Sequence, residues 1–166
     1  MADPTYTTTT SRVWHLRTGA TTGGEVHEQR VEYRPGSPFP PMHHHPAQDE
    51  HFEVERGAMV FDIDGDERVV EAGESIDLPR GTPHRARNAS AAEPAVVRWE
   101  TRPALRTTEF FLTAAALGDA PGILDQALLA HRYRDVFRLD GPARVVVPML
   151  AGLARSLGRR LPRWDA

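Results

Sequence analysis

Residues 58–63, AMVFDI, run into Asp64-Gly65 and return as residues 67–70, ERVV. An Asp-Gly pair between two apolar-rich runs is a strong short-range hairpin signal, because both central residues of the favoured tight turn need positive φ. The same texture continues on either side. In residues 26–34, VHEQRVEYR, one side carries Glu28, Arg30, Glu32 and Arg34, and the other carries His27, Gln29, Val31 and Tyr33. The charged side is expected to face water and the other side to face inward. Pro35-Gly36 closes that run. Further short strands are expected over residues 75–78, 84–88 and 95–101. Short strands at close spacing, punctuated by Gly and Pro turns, predict an all-β sandwich or barrel.

After Arg102-Pro103 the pattern changes to helical periods. Residues 108–117 and 122–136 predict helices, the second with Asp119 and Pro121 as start signals. Val146, Met149 or Leu150, Leu153 and Leu157 recur at helical spacing and predict a third. The chain therefore divides into a frayed, Thr-rich N-terminal arm (1–25), a β-barrel (26–104) and a helical extension (105–166). The extension is expected to cover an open face of the barrel or to form a dimer contact.

Composition removes whole classes of function. At 166 residues the chain suits one domain with an appendage, and its net charge of −3 comes with no basic run beyond Arg159-Arg160. A nucleic-acid partner, which needs clustered cations, is not expected. No stretch predicts a membrane span: residues 145–157 are short and contain Pro148 and Arg155. The N-terminus lacks a charged region followed by an apolar core, so a cytoplasmic location with no membrane partner is expected. There is no cysteine, which removes thiolate nucleophiles, thiolate-bound metals and disulfides. There is no lysine either, which removes Schiff-base chemistry. Catalysis is left to His, Asp, Glu, Tyr, Ser, Thr or a bound metal.

The candidate chemistry begins at the run PMHHHP, which heads the pattern His43-x-His45-x4-Glu50-x6-Gly57. On a strand, residues i and i+2 share a side, so His43 and His45 can share one metal while His44 points away. Glu50 can return to that side after the bend at residues 46–49 and add an anionic oxygen. Alone, this trio is also compatible with a His-rich surface loop. A second stretch follows as Gly73-x5-Pro79-x-Gly81-x2-His84-x3-Asn88, in which Asn88 is the chain's only asparagine. Together the two stretches resemble the paired signature motifs of the cupin superfamily over roughly residues 26–101. The resemblance implies an all-β core, a small double-sheet jelly-roll β-barrel, here with a C-terminal helical extension. It also implies one divalent metal held by His43, His45, Glu50 and His84, with Fe, Mn, Ni, Co, Cu and Zn as family precedents.

Three imidazoles and a carboxylate suit a borderline first-row ion better than Ca or Mg. Four protein ligands leave one or two coordination positions open for water, O2 or substrate. On the inward face of residues 26–34, His27, Gln29 and Tyr33 can contact substrate or move a proton, or can be ordinary buried polar groups. Phe52, Met59, Phe61, Val97 and Trp99 are expected as barrel core, and His44 and His51 as solvent-facing bystanders. His15 and His131 carry no usable signal, and Gln48 is left out of the ligand set.

Three functions remain open, all on a small-molecule substrate. The first is a metal-dependent oxygenase resembling the quercetin-dioxygenase-like branch, with Glu50 loosening from the metal to act as base. The second is a non-redox isomerase, cyclase or lyase of polyketide type, in which His27 or Tyr33 moves protons. The third is a barrel that holds a small ligand without turning it over. The oxygenase is preferred, because the ligand set matches that branch. Cupin barrels often pair through their sheets, so a homodimer is expected.

Overall fold

Two antiparallel sheets face each other in the computed structural model, which describes residues 3–162. In chain order the elements are β1 (Tyr6–Thr7), β2 (Ser11–Arg17), β3 (His27–Tyr33), β4 (His43–His44) and β5 (Asp49–Arg56). They continue as β6 (Ala58–Ile63), β7 (Asp66–Glu71), β8 (Ser75–Leu78), β9 (His84–Asn88) and β10 (Ala95–Arg102). The tail holds α1 (Thr107–Ala116), α2 (Ile123–Arg132), β11 (Arg138–Leu139) and α3 (Ala143–Ser156). One sheet runs β1-β2-β3-β10-β5-β8 and the other β11-β4-β9-β6-β7. This is the double-sheet barrel that the resemblance implies, within the sandwich-or-barrel class that the strand pattern predicts, followed by helices.

Local chemistry explains the register. Asp64 and Gly65 both take positive φ, 52° and 95°, so β6 turns directly into β7 with Ile63 opposite Asp66. Alternation on β5 and β10 sends Phe52, Val54, Ala95 and Val97 inward, where they meet Met59, Phe61, Val70 and Leu78 from neighbouring strands. Gly57 lets β5 pass into β6 against the start of β10: at its φ of 76°, a Cβ would lie 3.0 Å from the Pro94 carbonyl oxygen. At one end of the barrel the sheets are tied by Asn88. Its side-chain amide donates to the carbonyls of Tyr33 (3.3 Å), Arg34 (3.2 Å) and Glu93 (2.8 Å), and its Oδ1 accepts from the Ser90 N–H (2.9 Å).

Several expectations are corrected. Residues 6–17 are not part of a frayed arm: β1 and β2 extend the six-stranded sheet, with Val13 buried against the fold and paired to Val31. A short outer strand needs only one apolar side, so its Thr- and Arg-rich composition hid it. The charged side of β3 is not uniformly wet. Glu28 is only 2% exposed, because Arg17 and Arg98 close over it as ion-pair partners. The second tail helix ends at Arg132, and the chain then adds β11 to the edge of the five-stranded sheet by pairing with β4. Helices α2 and α3 pack through Ala127, Leu128, Ala151 and Ala154. Among the described residues no helix is long and apolar enough to cross a membrane. The parts of the expected arm and tail at residues 1–2 and 163–166 lie outside the described residues.

Two predictions follow from these ties. Asn88→Ala leaves three part-buried carbonyls and an N–H without this partner. It is expected to cost about 2–4 kcal/mol of unfolding free energy in chemical denaturation. For Glu28, burial alone would raise the carboxyl pKa, but hydrogen bonds from Arg17 and Arg98 outweigh it and hold the value below 4.5. A folded-state pKa below the unfolded one means stabilisation that is present above the unfolded value and lost as pH falls through the folded one. Glu28→Gln should therefore lower stability at pH 7 by about 1–3 kcal/mol. The difference from the parent should shrink as pH is taken below 4.5 in a series of denaturation curves.

Candidate metal centre

His43, the first residue of β4, sits directly opposite His84, the first residue of β9. His45 follows β4 on the same side, as the i, i+2 rule requires. All three imidazoles are buried, and one ring nitrogen from each lies within 4.8 Å of the others. Glu50 arrives from β5 in the facing sheet, 3% exposed, with one oxygen 3.3 Å from His45 Nε2 and the other 3.0 Å from His84 Nε2. The Trp99 indole N–H on neighbouring β10 donates to Glu50 Oε1 at 3.0 Å.

The hydrogen bonds of the rings prepare them as ligands. His43 Nδ1 donates to the Pro41 carbonyl (2.9 Å) and His84 Nδ1 to the Thr82 carbonyl (3.0 Å), each two residues back. That arrangement turns both Nε2 atoms toward the cluster, the orientation a metal-binding histidine takes when its second nitrogen is anchored. His45, also buried, makes no well-formed hydrogen bond at either nitrogen. Metal–nitrogen bonds of about 2.0–2.1 Å hold nitrogens at most about 4 Å apart, so small side-chain rotations bring these three within reach of one ion. The donor chemistry and the orphaned imidazole both fit a divalent transition metal.

Electrostatics sharpen the picture. Burial pushes the His43 pKa down to about 3, helped by His84 and His45, and burial lowers His45 as well. Burial also works to raise Glu50, yet the surrounding His45, His84 and His43 outweigh it and keep the carboxylate ionised. His84 is desolvated too, but its contact with Glu50 wins and raises its pKa. The result is two neutral imidazoles around an anion that draws positive charge to itself.

A cavity of about 430 Å³ opens onto the three histidines. Its wall is aromatic: Phe39, Phe52, Trp99, Phe110, Phe111 and Phe137 line it, and among the described residues no arginine or carboxylate does. Phe52 stacks on Trp99 at 5.0 Å between centroids, and Trp99 meets Phe111 edge-on at 5.3 Å. Phe110 stacks on Phe137, which in turn lies 4.7 Å from the His43 ring. The tail thus supplies part of the wall. Gln48 fastens it there, its amide donating to Pro103 O, Ala104 O and Thr107 Oγ1 at the start of α1.

The residues singled out in the sequence fall into three groups. His43, His45 and His84 form the three-nitrogen group, and Glu50 touches His45 and His84 from the facing sheet without being part of that group. Tyr33 lines the cavity, and burial together with the Glu50 charge raises its hydroxyl pKa, so it stays protonated at neutral pH. His27 and Gln29 are buried but not on the cavity wall. His27 stacks on Phe111 (5.9 Å), bonds Thr108 Oγ1 at 2.9 Å, and is held neutral by a pKa lowered to about 4, chiefly through burial. His44 is not a free surface side chain. It faces away from the cluster, as expected, and its Nδ1 is 3.0 Å from Asp140 just beyond β11. His51 is half-exposed and pairs with Asp77 at 2.7 Å. Sequence reasoning placed Phe52 and Trp99 in the core and missed that they also wall the cavity. It missed Phe110, Phe111 and Phe137 altogether, although a doubled Phe on an alanine- and threonine-rich helix was a readable signal.

Comparison with known proteins agrees with this architecture. The family described as Cupin domain matches residues 29–99. No curated protein matches the chain in sequence. KdgF from Halomonas sp. is similar in structure at 19% identity and a TM-score of 0.54, over 64% of this chain and 93% of that one. A predicted oxalate decarboxylase from Thermotoga maritima is similar at 18% identity and 0.55, over 61% and 92%. A conserved protein with a double-stranded β-helix domain from Klebsiella pneumoniae is similar at 17% and 0.52, over 60% and 77%. At such identities the likeness is one of fold.

The geometry separates neighbouring histidines experimentally. His44→Ala should leave metal content per chain unchanged in elemental analysis while loosening β11. His84→Ala should weaken metal binding at least about tenfold, because it removes a ligand rather than a supporting group. Equal metal content in the two variants would overturn the assignment.

Proposed function

We propose that this chain, whose residues 29–99 match the family described as Cupin domain, is a mononuclear metal-dependent oxygenase for a small, flat, largely apolar substrate. The observation that carries this reading is the cavity: an aromatic wall free of charged side chains that ends on three buried imidazoles. Such a wall binds a planar ring system by burial and stacking, and excludes water from the reacting end. It is poorly suited to a small dianion such as oxalate, because no guanidinium lines it.

His43, His45 and His84, with Glu50 as the fourth ligand, would hold the metal. When bound there, a divalent ion supplies Lewis acidity toward a substrate oxygen and, for Fe, Mn, Ni, Co or Cu, a route for reaction with O2. The side chains have their own tasks. Glu50, released from one imidazole, accepts the proton of an acidic hydroxyl or C–H that reaches the histidines. Trp99, which does line the cavity, holds the Glu50 carboxylate behind them by an indole hydrogen bond. Phe52 and Phe111 hold the ring plane against Trp99. His27 acts through Phe111 and Thr108, as a positioning group rather than a catalytic one.

A second reading rests on Tyr33. Its hydroxyl is protonated, lines the same cavity and feels the Glu50 charge, so the site holds a proton donor beside a base. That pair suits a non-redox isomerase, cyclase or lyase.

The readings separate in an oxygen electrode. The chain is loaded in parallel with Fe, Mn, Ni, Co, Cu and Zn and given flavonol and β-diketone probes. Oxygen uptake with at least one redox metal, lost in His84→Ala and reduced about 10²-fold or more in Glu50→Gln, is the expected outcome. Turnover without oxygen uptake would move the assignment to the proton-transfer reading. Binding of a probe with no turnover under any metal would leave a ligand-holding barrel.

A further inference from the structure

Charge is divided unevenly along this chain. Residues 1–105 carry 11 arginines against 17 aspartates and glutamates, whereas residues 106–166 carry nine against six. Much of the tail's positive charge converges on one hollow of about 730 Å³, lined by Arg106, Arg132, Arg134, Arg155, Arg159 and Arg160. His131, Leu128 and Leu161 complete its inner surface, and Asp135 is its one acidic lining residue. It shares no lining residue with the cavity beside the histidines.

We propose that this basin is a binding site for a small phosphorylated anion. Three of its arginines are already committed to carboxylates: Arg106 to Asp135, Arg132 to Glu109 at 2.8 Å, and Arg159 to Asp125 at 2.7 Å. These pairs link α1, α2 and the segments around them, and so set the shape of the hollow. Arg134, Arg155 and Arg160 have no carboxylate partner among the described residues. The excess is felt locally: the His131 pKa is lowered, first by burial and then by Arg155 and Arg134. Uncompensated guanidinium groups facing one hollow repel each other, and an anion bound between them relieves that cost. Guanidinium forks match phosphate oxygens two at a time.

The size and shape narrow the ligand. A hollow of this volume lies within the range of about 300–1,000 Å³ typical of small-molecule sites. Its cations surround a concavity with an apolar patch at Leu128 and Leu161, rather than forming the extended stripe that tracks a nucleic-acid backbone. A compact ligand with one or two phosphate groups and an apolar or aromatic portion fits both features.

The test uses the full chain with its metal and inorganic pyrophosphate as probe, in isothermal titration at 0.15 M salt. Saturable binding at one pyrophosphate per chain is expected, weakened at least tenfold in Arg134→Ala/Arg160→Ala, which leaves all three ion pairs intact. The control Arg34→Ala/Arg68→Ala removes the same charge from the barrel and should bind like the parent. Both doubles keep the histidine cluster, so any affinity of pyrophosphate for the metal is common to them. Unchanged thermal midpoints without probe would show that both variants are folded, and Arg134→Lys/Arg160→Lys should recover part of the affinity. Absence of saturable binding, or an equal loss in the two alanine doubles, would overturn the proposal. So would binding of a single-stranded oligonucleotide that depends on the same arginines when pyrophosphate does not bind.

Discussion

A carboxylate taken out of water is costly unless positive charge and hydrogen-bond donors accompany it, and Glu50 is almost wholly buried inside this barrel. The arrangement around it answers that constraint. His45 and His84 approach one oxygen each, and the Trp99 indole donates to the first of them. The two imidazoles come from the facing sheet, so the charge is compensated only when the sheets close on one another. A divalent ion held there would do the same work more strongly, and it would engage His45, whose ring nitrogens make no well-formed hydrogen bond. Formation of the site and closure of the barrel are therefore one event energetically.

The second organising element is the tail. By pairing β11 with β4 it extends the sheet that carries two of the histidines, and Asp140 occupies His44 on the far side. By laying α1 beside the barrel it adds Phe110 and Phe111 to the cavity wall. The tail thereby makes the cavity more apolar than the barrel alone would, which is why the wall carries more information about substrate than the ligand set does. The same helices gather arginine on their outer side, giving one chain an apolar cavity and a separate cationic hollow. These two environments rest on different forces, burial of apolar surface in one and electrostatic attraction in the other.

Much of this was legible in the sequence where the physics is local. Asp64-Gly65 required a tight hairpin, and the i, i+2 spacing of His43 and His45 placed both on one side with His44 on the other. The spacing of Glu50 and His84, read through the resemblance, put them near the same point. Period-two alternation found the core positions on β5 and β10. These readings need only backbone geometry within a few residues, and sequence carries that directly.

What the sequence did not decide depends on contacts between distant segments. That Glu28 lies under Arg17 and Arg98, although its strand face is charged, follows from which strands flank β3. That His27 falls behind Phe111 while Tyr33, on the same face of the same strand, reaches the cavity follows from where α1 lands. That Thr- and Arg-rich residues near the N-terminus form β2 follows from an open sheet edge beside β3. Turns and alternation, being local, were enough for the all-β class and for placing His43 and His45 on one side, whereas Glu50 and His84 entered the ligand set only through the resemblance. Only the tertiary structure decided the cavity's aromatic wall and the cationic basin, because both are assembled from side chains far apart in the chain and brought together by packing.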